Sequence, residues 1–112
     1  MDLDKFVEFA ANLAKKKKGK KEELERLQRF FERFHLVNRN YLDKEAFEKA
    51  KESVSTIAEA TVNTLRYLDG EITRLRNKRA KLPFENVELG EMQKVQNRNG
   101  QLLKELLAEF QE

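Results

Sequence analysis

Apolar residues recur at alternating spacings of three and four from Phe47 to Leu82. They are Phe47, Ala50, Val54, Ile57, Thr61, Leu65, Leu68, Ile72, Leu75, Arg79 and Leu82, with one extra four-residue step after Thr61. This is a heptad seam with a single stutter. It predicts one helix from about Lys44 to Leu82, roughly 40 residues and 60 Å long. Asp69-Gly70 is its weak point, because this dipeptide is a turn signal and glycine costs about 1 kcal/mol inside a helix. The ladder keeps its phase from Leu68 to Ile72, which favours continuity over a helix–turn–helix break. Pro83 should end the helix, since it cannot donate a backbone hydrogen bond.

Three further helices have the same period. Leu3, Phe6, Val7, Ala10, Leu13 and Ala14 form one stripe over about Asp2 to Lys16, with Asp2 or Asp4 placed to cap it. Gly19 suits the position just past its end. Leu24, Leu27, Phe30, Phe31, Phe34 and Val37 give a broad aromatic face from about Glu22 to Val37. Asn38-Arg39-Asn40 reads as its stop, and Asp43 as the cap of the long helix. The fourth helix, capped by Asn86, runs to about Phe110 along Leu89, Met92, Val95, Asn99, Leu102 and Leu106. The short link 83–86 demands that it fold back antiparallel on the third.

These patterns predict an all-α fold. It is an elongated bundle of about four helices, with a long third helix and a C-terminal antiparallel helical hairpin, in a single domain over residues 1–112. Helix two, running back from Asp43, should cover the first half of the long helix, and helix four the second. Neither wraps it fully. The stretch from Ser53 to Leu65 carries only one charge, Glu59, among small residues. A second copy of the chain is therefore the expected cover, with Val54, Ile57, Thr61, Leu65, Leu68, Ile72 and Leu75 at a homo-oligomer interface. Asn99 interrupts the ladder of helix four and is expected to set register inside that interface. Phe30 and Phe31 cannot point the same way, so one of them is a further candidate for contact with another chain.

Composition sharpens the picture in one respect. Charged residues make up 38% of the chain and the net charge is +3, but the charge is segregated. Residues 15–40 hold ten Lys and Arg against four Glu, and residues 66–84 are again basic. Lys15, Lys16, Lys17, Lys18, Lys20 and Lys21 form a polyvalent cation around Gly19. Arg74, Arg76, Lys78, Arg79 and Lys81 form a second block rich in arginine, whose planar fork suits phosphate. Helix lengths place the lysine run near the middle of helix three, so the two blocks should merge into one polyanion-binding zone, with Glu85, Glu88 and Glu91 tempering its far end. Tyr67 is the only aromatic residue near either block, so contact with a nucleic-acid backbone is favoured over base stacking.

Other chemistry is sparse. The chain has no cysteine and a single histidine, His35, beside Phe34. That leaves no nucleophilic triad, no thiol chemistry and no metal-ligand cluster. No cofactor is implied, and an enzyme is not expected. The N-terminus lacks a signal-peptide pattern and no run reaches the ~20 apolar residues of a membrane span, so a cytoplasmic protein is expected. The sequence thus reads as a non-catalytic helical adaptor or scaffold that self-associates and presents a basic surface to a protein partner. The alternative is an accessory protein that binds the phosphate backbone of nucleic acid. A secretion-type chaperone would need an exposed apolar groove at Phe30 or Phe31.

Overall fold

A computed structural model describes residues 3–110; Met1, Asp2, Gln111 and Glu112, and with them the expected capping role of Asp2, lie outside the described residues. Among the described residues the chain forms five helices: α1 (Leu3–Lys15), α2 (Lys20–Val37), α3 (Lys44–Ala50), α4 (Val54–Asn77) and α5 (Pro83–Glu109). They pack into an elongated body measuring 53 × 29 × 17 Å.

The expected long helix is two helices. It breaks at Lys51–Ser53, not at Asp69-Gly70, which α4 crosses without interruption. The break is built from short polar side chains. Ser53 Oγ accepts the Thr56 backbone N–H at 3.2 Å, while Thr56 Oγ1 accepts the Ser53 N–H at 3.0 Å. Thr56 Oγ1 also donates to the carbonyl of Ala50 at 2.6 Å, tying the start of α4 to the end of α3. Such a reciprocal cap satisfies backbone groups that a helix start would otherwise leave unpaired. The apolar phase carries through the kink because both α3 and α4 turn the same face to the core. Phe47 and Ala50 are buried on one side of it, Val54 and Ile57 on the other.

The break reverses the expected packing of α2. Asp43 caps α3, its side chain accepting the Ala46 N–H at 2.7 Å, and α3 runs back along α2. Gln28 of α2 donates to the Lys51 carbonyl at 2.7 Å, whereas Tyr41, beyond the end of α2, faces Tyr67 of α4 with ring centroids 6.3 Å apart. So α2 is parallel to α4, not antiparallel. α5 returns antiparallel to α4, with Gln96 near Asp69 and the C-terminal turn beside α1, where Phe9 and Phe110 lie 4.8 Å apart.

Both ends of the expected hairpin link also move. α4 stops at Asn77, before the ladder positions Arg79 and Leu82. Pro83 opens α5 at its first turn, where its missing N–H costs nothing. Asn86 lies inside α5, its N–H bonded to the Leu82 carbonyl at 3.2 Å, and so is not the cap. Likewise Gly19 precedes α2 with φ 73° and is not the stop of α1.

The described residues form two apolar cores. The larger joins all five helices around Phe6, Leu27, Phe31, Phe34, Ile57 and Leu103, all fully buried. Burial of each such side chain is worth about 1.5–3 kcal/mol before entropy is counted. The smaller core comprises Leu68, Ile72, Leu75 and Met92, and only Tyr41 joins it from outside α4 and α5. Beyond Tyr41 the hairpin is therefore a two-helix arm, which rises about 14 Å from Leu68 to Asn77.

Candidate interaction surfaces

The lysine run straddles the α1–α2 turn. Lys15 ends α1, Lys16–Lys18 lie in the link, and Lys20 and Lys21 open α2. Gly19 takes the left-handed backbone that lets so short a link turn. All six lysines are exposed. Lys16 pairs with Glu23, and Lys20 donates to the Ala14 carbonyl at 3.2 Å. Lys15, Lys17, Lys18 and Lys21 form no ion pair among the described residues.

The second basic block lies at the opposite end. Gln28 of α2 bonds the Lys51 carbonyl just before α4, and α2 begins at Lys20, about two turns earlier, which puts the lysine turn at the start of α4. Arg74 is near its end, roughly 29 Å farther along the axis. The expected single zone near the middle of the long helix is therefore absent. It required α2 to run antiparallel to the long helix, and α3 takes that role.

The second block is also partly neutralised. Arg74 donates to Glu71 Oε2 through Nε at 2.9 Å and Nη2 at 2.7 Å. These bonds, with the Glu71 charge, raise its pKa further. Lys78 Nζ grips both oxygens of Glu85, at 2.9 and 2.7 Å, and the Leu82 N–H donates to the same carboxylate at 3.0 Å. Glu85 is 6% exposed, and the Lys78 hydrogen bonds followed by the Leu82 N–H hold its pKa below the usual carboxylate value. Arg76, Arg79 and Lys81 form no ion pair among the described residues.

This clamp fixes the tip of the arm, and the tip carries what the basic-block reading missed. Leu82, Phe84 and Val87 are 53%, 64% and 67% exposed. Leu82 falls on the ladder by spacing, but the early end of α4 releases it. Phe84 and Val87 are three apart on α5 and share an outward face.

The expected oligomer seam is occupied within the chain. Val54, Ile57, Thr61, Leu65, Leu68, Ile72, Leu75 and Asn99 are each at most 2% exposed in one copy. α1 supplies cover that helix two and helix four lacked. Asn99 does sit between helices, but they are α5 and the end of α2. Asn38 Nδ2 donates to Asn99 Oδ1 at 2.7 Å and Asn99 Nδ2 donates back at 2.8 Å. Asn38 Nδ2 also donates to the Phe34 carbonyl at 2.8 Å.

Phe30 and Phe31 are both buried, because α2 is covered on two sides. Phe30 meets Phe6 of α1, and Phe31 stacks on Phe47 of α3 at 5.2 Å. Phe31 is sealed in the core, and Phe30 is 6% exposed, at the floor of a cleft ringed by charged side chains. His35 stacks on Phe47 at 4.1 Å, consistent with a structural role.

Burial pushes up the pKa of Tyr41, reinforced by Glu88 and Glu91. A cleft between α2 and α5 brings Arg26, Arg29 and Arg33 over Phe30, Leu102 and Leu106. Glu105 and Glu109 share it, and Arg33 pairs with Glu105 at 3.1 Å. The i, i+3, i+7 spacing of these arginines was the available signal for it. Among the described residues no group of three or more potential metal ligands occurs. Comparison with known protein families, curated proteins and solved structures finds no match for this chain.

Proposed function

We propose that the protein is a helical adaptor whose body joins two separate contact surfaces, the lysine turn at one end and the arm tip at the other. The observation that carries this reading is the tip: Leu82 in the link, and Phe84 and Val87 in the first turns of α5, stand out into solvent beside the Lys78–Glu85 clamp. Large apolar side chains grouped and held in this way are the usual mark of a contact site. Self-association through the long-helix seam is not part of the proposal, because Val54, Ile57, Thr61, Leu65, Leu68, Ile72 and Leu75 are already buried within the chain.

A photo-crosslinking amino acid at position 84 tests the adaptor in cells. Discrete adducts, to protein or to lipid, should form there and not at Lys104, an exposed position on α5. Equal adduct patterns at the two positions would end the adaptor reading.

A second reading, binding to a nucleic-acid backbone, is supported by the exposed lysine turn. It expects anisotropy of a labelled duplex to rise at ~50 mM salt, with a salt slope that falls by about 0.9 for each phosphate contact removed. Changing Lys16, Lys17, Lys18 and Lys20 to Gln should flatten that slope. Changing Arg76 and Arg79 to Gln should leave it unaltered, since they are at the other end. Absence of binding by the unmodified protein would dismiss this reading.

A further inference from the structure

The arm tip holds two kinds of chemistry side by side. Its apolar part is Leu82, Phe84 and Val87, each more than half exposed. Its polar part, over residues 76–87, has four cations against one carboxylate. That carboxylate, Glu85, is already matched by Lys78 at 2.7 Å, which leaves Arg76, Arg79 and Lys81 as net positive charge. Glu88 and Glu91 come one and two turns farther down α5.

We propose that this tip docks reversibly on an anionic lipid surface, with Phe84, Val87 and Leu82 entering the headgroup boundary and Arg76, Arg79 and Lys81 facing acidic headgroups. This rests on the adaptor reading only in taking the tip as one of its two contact ends. Interfacial docking buries apolar side chains about 5–10 Å deep and is strengthened by charge attraction to anionic lipid. The arm reaches about 14 Å beyond its base at Leu68, so the tip can enter to that depth without burying the polar body. Arginine and lysine can lay their apolar stems along the boundary while the charged heads stay among the phosphates. No helix of the described residues is long and apolar enough to cross a membrane, which fits a surface mode. A nucleic-acid duplex matches the tip less well, because its phosphates engage the cations and leave three apolar side chains without a partner.

The chain contains no tryptophan, so Phe84→Trp installs a single tryptophan, excited apart from the two tyrosines, at the most informative position. The substitution is made in a chain whose Lys16, Lys17, Lys18 and Lys20 are Gln, so that the opposite end cannot cause the binding. Vesicles of phosphatidylcholine with about 30% phosphatidylserine should shift its emission to the blue, and pure phosphatidylcholine should not. Arg79→Gln and Lys81→Gln should each weaken the partition about fivefold, and raised salt should weaken it further. Co-sedimentation of a chain with native Phe84 and the same lysine substitutions gives a second readout that should lose binding on Val87→Ser.

An unshifted emission on anionic vesicles would overturn the proposal, as would an equal shift on neutral ones. A shift produced by duplex DNA and not by vesicles would overturn it too, and would assign the tip to nucleic acid. Each of these failures leaves the crosslinking test at position 84 to decide the adaptor reading separately.

Discussion

A buried carboxamide must satisfy both its oxygen and its nitrogen, and Asn99 finds both partners on Asn38. Asn99→Leu strips Asn38 Oδ1 of its donor and Asn38 Nδ2 of one of its two acceptors, at a fully buried site. We expect a loss of roughly 1–3 kcal/mol in urea denaturation, since an orphaned buried polar group bears its full desolvation cost. Adding Asn38→Leu should recover part of that loss, because no unpaired group then remains. This reverses the gain in stability that replacing a lone polar residue in an apolar ladder would bring. The interruption at Asn99 was legible in the sequence. Its partner was not, because Asn38 reads locally as a helix stop and is 61 residues away.

Glu85 gives a pH prediction. Its carboxyl is held below the ordinary value, chiefly by the Lys78 hydrogen bonds. A depressed folded-state pKa means that the contribution is fully present above the unfolded-state value. It is lost as pH falls from there through the lower folded value. Glu85→Gln should therefore remove an acid-side decline in the urea midpoint, and an NMR titration of Glu85 should show a midpoint below 4.5, the ordinary value. An ordinary midpoint would mean that the clamp is open in solution.

At the scale of elements, the observed break at Lys51–Ser53 and the expected weak point at Asp69-Gly70 give opposite outcomes. Ser53→Ala removes the side-chain acceptor at the start of α4 and should cost about 1 kcal/mol. Gly70 lies mid-helix, and a Cβ added there meets nothing within 4 Å. Gly70→Ala should therefore stabilise by roughly 0.5–1 kcal/mol. Thermal melts of the two variants check both; a destabilising Gly70→Ala would show that α4 is not continuous there.

Periodicity located most of the helical residues, including α1, α2 and the run of α4 across Gly70. It was blind to the break at Lys51–Ser53 because the apolar phase is kept and the signal is a cap, Ser53 with Thr56, made of residues that also occur in helix interiors. Arg79 and Leu82 fitted the ladder by spacing alone, yet α4 ends before them. That early end is what puts Leu82 on the exposed tip.

At the scale of the molecule, one missed break changes the whole arrangement. With a single long helix, α2 runs back from Asp43 and carries the lysine turn to the middle of the chain, where the basic blocks merge. With α3 interposed, α2 is parallel to α4 and the blocks occupy opposite ends of a body 53 Å long. The charge segregation itself was plain in the sequence, but the distance between the blocks depended on the direction of one helix.

The chain has no cysteine, so Lys18→Cys and Arg79→Cys, both at exposed positions, can carry a spin-label pair. Pulsed dipolar spectroscopy on the doubly labelled protein, diluted with unlabelled chain, measures their separation. We expect a distance above about 30 Å, as the rise of α4 between the two ends requires; a distance below about 20 Å would restore the merged zone and contradict the two-ended fold.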